Sequence, residues 1–77
     1  MNTFHVIRNG VVFELQPEPE GGYTITVPSL PGCISYGDTF EKAIEMIKDA
    51  MAGWLEVARK EGVPIPKQFE SIQLATL

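Results

Sequence analysis

Residues that build reactive or metal-binding centres are scarce in this chain, whose 77 residues include one cysteine and one histidine. Cys33 alone cannot form an intramolecular disulfide, and one thiol with one imidazole cannot complete a four-ligand zinc site. A chain this short buries only about 60% of the surface that its unfolded form exposes, so it often needs further support. We therefore expect a single domain over residues 1–77 that forms a homo-oligomer, either a dimer or a tetramer.

Basic residues and long apolar runs are also scarce. Six lysines and arginines stand against ten aspartates and glutamates, which gives a formal charge of −4. This balance disfavours nucleic acid as a partner, because phosphates require cations, and favours a basic protein. No apolar run could span a bilayer, and residues 1–10 lack the features of a signal peptide. With one unpaired cysteine, these absences predict a cytoplasmic protein that does not associate with membranes.

Short β-rich segments separated by turn residues fill the first half of the chain. Runs 3–8 and 11–16 flank Asn9-Gly10, a pair typical of a two-residue hairpin turn. Runs 23–27 and 33–36 follow, and the segments 17–22 and 28–32, rich in proline and glycine, interrupt the strands. Along these runs apolar residues alternate with polar or small ones, which predicts a sheet with one apolar face and a second face that carries small polar groups. We place on the apolar face Val11, Phe13, Leu15, Tyr23, Ile25, Val27, Ile34 and Tyr36, and on the opposite face Val12, Glu14, Gln16, Thr24, Thr26, Cys33 and Ser35.

One amphipathic helix is predicted from Asp38 to Glu61, with apolar residues at spacings of three and four that cover the apolar face of the sheet. Either Asp38 or Thr39 can cap its start, and Gly62 ends it. Gly53 weakens the helix and allows close approach of a strand or another chain. In the tail, FESIQLATL (69–77) predicts a last edge strand on which Ile72 and Leu74 alternate, open to another chain. The fold class is α+β, an antiparallel sheet covered by one long helix.

Few side chains could carry catalysis. His5 has apolar neighbours, and no basic cluster or helix N-terminus lies near Cys33 to activate its thiol. Two-metal chemistry needs carboxylates that converge from several elements. Only one of the four candidate carboxylates lies within a predicted strand; the four are Glu14, Glu18, Glu20 and Asp38. Taken residue by residue, the sequence argues against an enzyme and predicts no metal and no cofactor.

One ordered set of motifs is more specific than any single residue. It consists of Gly21-Gly22-Tyr23, Val27-Pro28-Ser29-Leu30-Pro31-Gly32-Cys33, Gly37-Asp38-Thr39, Glu41, Ala43, Ala50, Trp54 and Pro64-Ile65-Pro66. Over about residues 11–66 this set resembles the HicB-like antitoxin family, with Ser29 where an aspartate is usual and Lys42 where a glutamate is usual. The resemblance implies a β-β-β-α-β domain with a partial ribonuclease-H-like topology, to which run 3–8 adds an N-terminal hairpin strand.

The same resemblance implies a function: the antitoxin of a type II toxin–antitoxin pair, which binds and occludes a HicA-type toxin, a small basic ribonuclease that cleaves mRNA. Many family members carry a further C-terminal DNA-binding module. This sequence ends about ten residues after the proline-containing segment, so we expect no direct DNA binding.

Toxin contacts are expected on the open face of the sheet, on the 17–22 loop and on the VPSLPGC turn. The expected partner-binding residues are Glu14, Glu18, Glu20, Tyr23, Thr24, Thr26, Leu30 and Ser35. In an alternative interpretation, VPSLPGC is only a rigid turn that leads into the helix. The whole chain could also be an orphan oligomeric module that binds a protein or ligand without a toxin, or a reduced metal-dependent nuclease.

Overall fold

Four strands precede one helix in the computed structural model, which describes residues 2–70, 74 and 77. The strands are β1 (Phe4–Arg8), β2 (Val11–Pro17), β3 (Tyr23–Thr26) and β4 (Ile34–Gly37), and the helix is α1 (Phe40–Glu61). They form one antiparallel sheet in the order β1-β2-β3-β4, and α1 packs on one face of it, against β4 and β3. The α+β class is confirmed, and the N-terminal hairpin strand belongs to the sheet. Within the described residues no helix combines the length and apolarity needed to cross a membrane.

The β1–β2 turn has the predicted geometry. Asn9 has φ 51° and Gly10 has φ 79°, so both central residues adopt the positive φ that a type I′ turn requires. Arg8 pairs directly with Val11 across the turn. This two-residue connection fixes the register of the hairpin, and with it the face on which each β2 side chain lies.

The core lies between the sheet and α1. Val11, Phe13, Leu15 and Ile25 are fully buried on the sheet side, and the helix buries a stripe of residues against them. That stripe consists of Ala43, Ile44, Ile47, Met51, Leu55 and Ala58. Full burial of one large apolar side chain stabilises a fold by about 1.5–3 kcal/mol. The alternation predicted for β2 and β3 and the helical stripe together account for most of this core.

The VPSLPGC segment is a compact turn that closes on itself and belongs to the same core. The backbone N–H of Leu30 donates to the Val27 carbonyl (2.9 Å), that of Cys33 to the Leu30 carbonyl (2.9 Å), and that of Val27 to the Cys33 carbonyl (3.1 Å). Leu30 is fully buried and Cys33 nearly so. The turn therefore anchors both side chains before β4 begins.

Strand β4 has the opposite phase to the predicted one. Ser35 pairs with Ile25, and Tyr36 pairs with Thr24. Directly paired residues share a face, so Ser35 lies on the helix side, while Ile34 and Tyr36 lie on the other side and are 57% and 46% exposed. The prediction that Ile34 and Tyr36 face the core, with Cys33 and Ser35 opposite, was wrong. The cause is the compact turn, because burial of Cys33 sets the phase of the residues after it.

Both helix ends have defined caps. Thr39, with φ −125° and ψ 167°, accepts a hydrogen bond from the backbone N–H of Lys42 (3.0 Å), so Thr39 rather than Asp38 is the N-cap. At the other end Gly62 is left-handed (φ 72°), and its N–H donates to the Ala58 carbonyl, as expected for a helix that stops at glycine.

The tail differs from the prediction where the structure describes it. Lys67–Phe69 is a 3₁₀ helix that follows Pro66, and it turns Phe69 into the core. Phe69 is therefore not the start of a strand, and the predicted strand position Ile72 lies outside the described residues. Leu77 is buried, and its carbonyl accepts a hydrogen bond from Arg8 Nη1 (3.1 Å). The edges of the described sheet are β1 and β4.

Candidate functional site

The face of the sheet opposite α1 is covered by no described element. The strand register places nine side chains on it, since residues that pair directly share a face. One row crosses all four strands, and shorter rows flank it. We call these residues the open face: His5, Ile7, Val12, Glu14, Gln16, Thr24, Thr26, Ile34 and Tyr36.

Charge is segregated between the two sides of the fold. No lysine or arginine occurs between Arg8 and Lys42, a stretch that contains three of the four strands. Arg8 itself lies on the helix side, where its guanidinium carbon is 5.6 Å from the centroid of the Phe40 ring. The remaining cations are on α1 or in the tail. The open face and its adjoining loops are therefore acidic, whereas α1 carries both signs of charge.

One end of the open face concentrates this acidity around Tyr36. Glu18, Glu20, Gly21, Thr24 and Tyr36 line a shallow depression of about 350 Å³. The Tyr36 hydroxyl donates to the Gly21 carbonyl (2.8 Å), and Thr24 Oγ1 donates to Glu18 Oε2 (2.6 Å). These bonds hold the 17–22 loop against β3 and β4, so the loop carboxylates border the depression.

The chemistry of Tyr36 follows from its surroundings. Partial desolvation, followed by the negative charges of Asp38, Glu18 and Glu20, raises the pKa of the Tyr36 phenol above its ordinary value. The phenol therefore keeps its proton to a higher pH than an ordinary tyrosine, and its O–H is the donor in the bond to Gly21. Gly22 permits this arrangement: it has φ 81°, and a Cβ there would come within 2.8 Å of the Gly37 carbonyl oxygen and closer still to the Tyr36 ring.

The structure separates the predicted partner-binding residues into two groups. Glu14, Thr24 and Thr26 lie on the open face, and Glu18 and Glu20 lie at its acidic end. The other three lie on the helix side, where Tyr23 is half-buried with its ring edge-to-face with that of Phe4 (6.0 Å between centroids), Leu30 is fully buried and Ser35 is half-buried. Sequence reasoning missed Ile34 and Tyr36 as open-face residues. Their phase is set by the turn before β4, so apolar alternation alone contained no signal that could find them.

Neither His5 nor Cys33 is arranged for catalysis. His5 is exposed on the open face with Nε2 3.3 Å from Glu14 Oε1. Cys33 is buried in the core beside the opposite edge strand, and burial raises the pKa of its thiol. Three strand spacings of about 4.8 Å separate β1 from β4, so the two side chains cannot act as a pair. In the part of the chain that the structure describes, His, Cys, Asp and Glu side chains form no group of three that could hold a metal ion.

These features define a class of protein: a small α+β domain in which one helix covers a single face of an antiparallel sheet. The other face is acidic, and no described element covers it. Residues 11–76 match the family described as "HicB_like antitoxin of bacterial toxin-antitoxin system". The chain belongs to this family, as the ordered motifs of the sequence indicated. Its membership supports a role in a toxin–antitoxin system.

Similar proteins occur in several bacteria. A UPF0150 protein of Synechocystis is 44% identical over 54 residues, which is 70% of this chain and 68% of that protein. Antitoxin HicB 1 of Photorhabdus laumondii is 38% identical over 52 residues, 68% of this chain and 34% of its own length. Antitoxin HicB of Escherichia coli K12 is 30% identical over 59 residues, 74% of this chain and 43% of its own. The match thus spans less than half of each named antitoxin. No solved structure gave a significant match.

Proposed function

We propose that this chain is the antitoxin of a type II toxin–antitoxin pair, and that it inhibits a small basic HicA-type mRNA-cleaving toxin by covering the surface that binds and cuts RNA. Family membership supports the role, and the acidic open face supports the mechanism. A nuclease surface that binds RNA needs cations for the phosphates. An acidic protein face complements such a surface and accelerates its association through long-range attraction.

The open face also offers groups suited to the centre of an interface. Ile34 and Tyr36 are large and exposed, and Ile7, on the far edge strand, is 69% exposed. Aromatic and large apolar side chains at the centre of an interface usually account for most of the binding energy, while a charged rim excludes water and sets the orientation. We assign the rim to Glu18 and Glu20 at the acidic end of the face, while Glu14 contributes a negative charge from within it, on β2.

Inhibition by occlusion needs no reacting group, so the proposal includes no catalysis by this chain, and it places the pair in the cytoplasm. VPSLPGC acts chiefly as a rigid turn, which is supported by its three internal hydrogen bonds and the burial of Leu30. The succession β2, β3, β4 and α1 fits the first part of a partial ribonuclease-H-like topology. We further propose that the chain self-associates, because its core is small for a free-standing domain.

Co-expression with a HicA-type toxin from the same genome tests the proposal. The wild-type chain should restore growth and co-purify with the toxin. The triple variant E14K/E18K/E20K should weaken binding by about 10–100-fold and slow association, since it reverses the negative charges of the open face and of its acidic end. The matched control E45K/D49K/E56K changes the net charge equally on the exposed side of α1 and should keep rescue. Equal loss in both variants, or none in either, would contradict the assignment of the open face.

Two outcomes would favour the alternative functions. If a HicA-like toxin encoded beside this chain stays toxic at equal expression, the antitoxin role is wrong and an orphan binding module remains. If the purified protein with Mg²⁺ or Mn²⁺ cuts RNA, and H5A or E14Q abolishes the cleavage, occlusion is replaced by nuclease activity, because a passive inhibitor has no turnover to lose.

A further inference from the structure

The one histidine of the chain, His5, lies on the open face, on the edge strand β1. Imidazole is the only side chain whose ordinary charge change falls between pH 5 and 8. The surface assigned to the toxin therefore contains a group that is neutral under slightly alkaline conditions and positively charged under mildly acidic ones.

Glu14 is the neighbour that this charge change affects most. It pairs directly with His5 across the two strands, and the distance from His5 Nε2 to Glu14 Oε1 is 3.3 Å. The two side chains are 53% and 43% exposed, so a partner that covers the sheet can reach both. When the imidazole gains a proton, this contact becomes an ion pair. Among the nine open-face residues, the glutamate is also the one acidic residue.

The surroundings of His5 on this face are otherwise uncharged. Within the described residues β2 is the one strand paired with β1, and its residues diagonal to His5, Val12 and Gln16, carry no charge. On β1 itself Ile7 shares the open face, whereas Arg8 lies on the helix side against Phe40. The helix packs on the opposite face of the sheet, against β3 and β4. The charge state of the strands on the open face thus depends on one pair of side chains.

We propose that His5 makes the binding of the basic toxin depend on pH, so that acidification weakens the complex. This inference rests on the proposed function. With a neutral imidazole, the strands of the open face present the negative charge of Glu14 to the cations of the toxin. With a protonated imidazole, the two charges cancel, and Glu18 and Glu20 at the acidic end remain as the source of attraction.

Thermodynamic linkage gives the same device a second expression. A cationic surface placed over His5 disfavours its protonated form, so the complex binds fewer protons than the separate proteins do. Proton binding and toxin binding therefore oppose each other by the same factor. At a pH where part of the free chain carries the proton, formation of the complex should release a fraction of a proton from His5.

Dissociation constants of the purified chain and a HicA-type toxin from the same genome, measured at pH 7.5 and pH 5.5, test the proposal. Groups of the toxin that titrate in this range contribute equally to every variant, so the relevant quantity is the ratio of the two constants. In H5Q position 5 is neutral at both pH values, and in H5K it is charged at both. The wild-type ratio should exceed that of either variant by about three- to ten-fold. At pH 7.5 H5K should bind more weakly than H5Q by a similar factor.

The matched control H5Q/A52H moves the histidine to an exposed position on α1. It keeps one histidine in the chain but removes it from the open face, so its ratio should equal that of H5Q. Calorimetry at pH 6.5 in two buffers with different ionisation enthalpies counts the protons. The wild type should release more protons on binding than H5Q does. Circular dichroism at both pH values verifies the fold of each variant.

The outcomes separate this inference from the function on which it rests. Equal ratios in the wild type and H5Q, or a pH dependence restored by H5Q/A52H, would overturn the role of His5 while leaving the antitoxin function intact. Equal binding of H5K and H5Q at pH 7.5 would overturn it as well. If the wild type does not bind the toxin at either pH, the proposed function is wrong, and the inference is wrong with it.

Discussion

The variant Gly37→Ala tests the contact between the end of β4 and the start of α1. Gly37 is buried, and a Cβ on it would lie about 2.5 Å from both the Cα of Ala43 and the carbonyl carbon of Lys42, and closer still to the Ala43 nitrogen. These are backbone atoms of the first helical turn, so no flexible side chain can move aside. The added methyl group must displace the helix from the strand.

The expected cost follows from the rigidity of that contact. Overpacking a core usually costs about 1–3 kcal/mol of folding free energy. Because the added methyl group meets helix backbone rather than a flexible side chain, we expect Gly37→Ala to lie at the upper end of this range, at about 3 kcal/mol. A chain of 77 residues has a total stability of about 4–12 kcal/mol at the usual 0.05–0.15 kcal/mol per residue. A loss of 3 kcal/mol lowers the melting temperature of a domain of this size by about 12–24 °C.

Urea unfolding followed by tryptophan fluorescence measures this loss, at protein concentrations low enough to keep the chain monomeric. The control is Gly53→Ala, the same substitution placed within α1, where the added Cβ has no described neighbour in reach, and it should stabilise the monomer by about 0.5–1 kcal/mol. A cost below about 1 kcal/mol at Gly37 would refute the tight strand–helix approach, since an overpacked rigid contact costs at least that much.

Four further predictions follow from single contacts. Thr39→Ala should cost about 1 kcal/mol in urea unfolding because it removes the N-cap oxygen; Asp38→Ala should cost less, and equal losses would contradict the assigned cap. Leu30→Ala should lower stability by about 2–5 kcal/mol through a core cavity, and a neutral result would argue against its burial. Because the pKa of Tyr36 is raised in the fold, the unfolded chain loses its phenolic proton first; stability should therefore fall as pH rises above about 10, and Tyr36→Phe should flatten this part of the profile in denaturant titrations. Burial raises the pKa of Cys33, so an aromatic disulfide reagent at pH 8 should react slowly until urea unfolds the chain, and a fast reaction would contradict the burial.

Local signals were sufficient to predict most of the elements. Asn9-Gly10 defines its turn through the φ values that these two residues tolerate, and Gly62 ends the helix for the same reason. The apolar stripe of α1 needs only a period of 3.6 residues. Glu14, Thr24 and Thr26 were placed on the open face because the alternation along β2 and β3 was unambiguous.

Non-local contacts decided what could not be predicted. In either phase of the alternation along β4, small or apolar residues would face the helix. Only the burial of Leu30 and Cys33, which the preceding turn holds in the core, selects the observed phase. The error moved Ile34 and Tyr36 to the wrong face and hid the apolar part of the candidate site. Phe69 was misplaced for a similar reason, since its attraction to the core turns the chain after Pro66 into a 3₁₀ helix.

The one-sided distribution of cations has a practical consequence for experiments on this protein. Its lysine side chains, Lys42, Lys48, Lys60 and Lys67, all belong to α1 or the tail. Coupling these amines to a sensor chip or a resin therefore tethers the molecule by its helical side and directs the carboxylate-rich strands into solution. Carbodiimide activation of carboxyl groups would consume Glu14, Glu18 and Glu20 themselves. The choice of coupling chemistry thus determines which side of the molecule a captured ligand can reach.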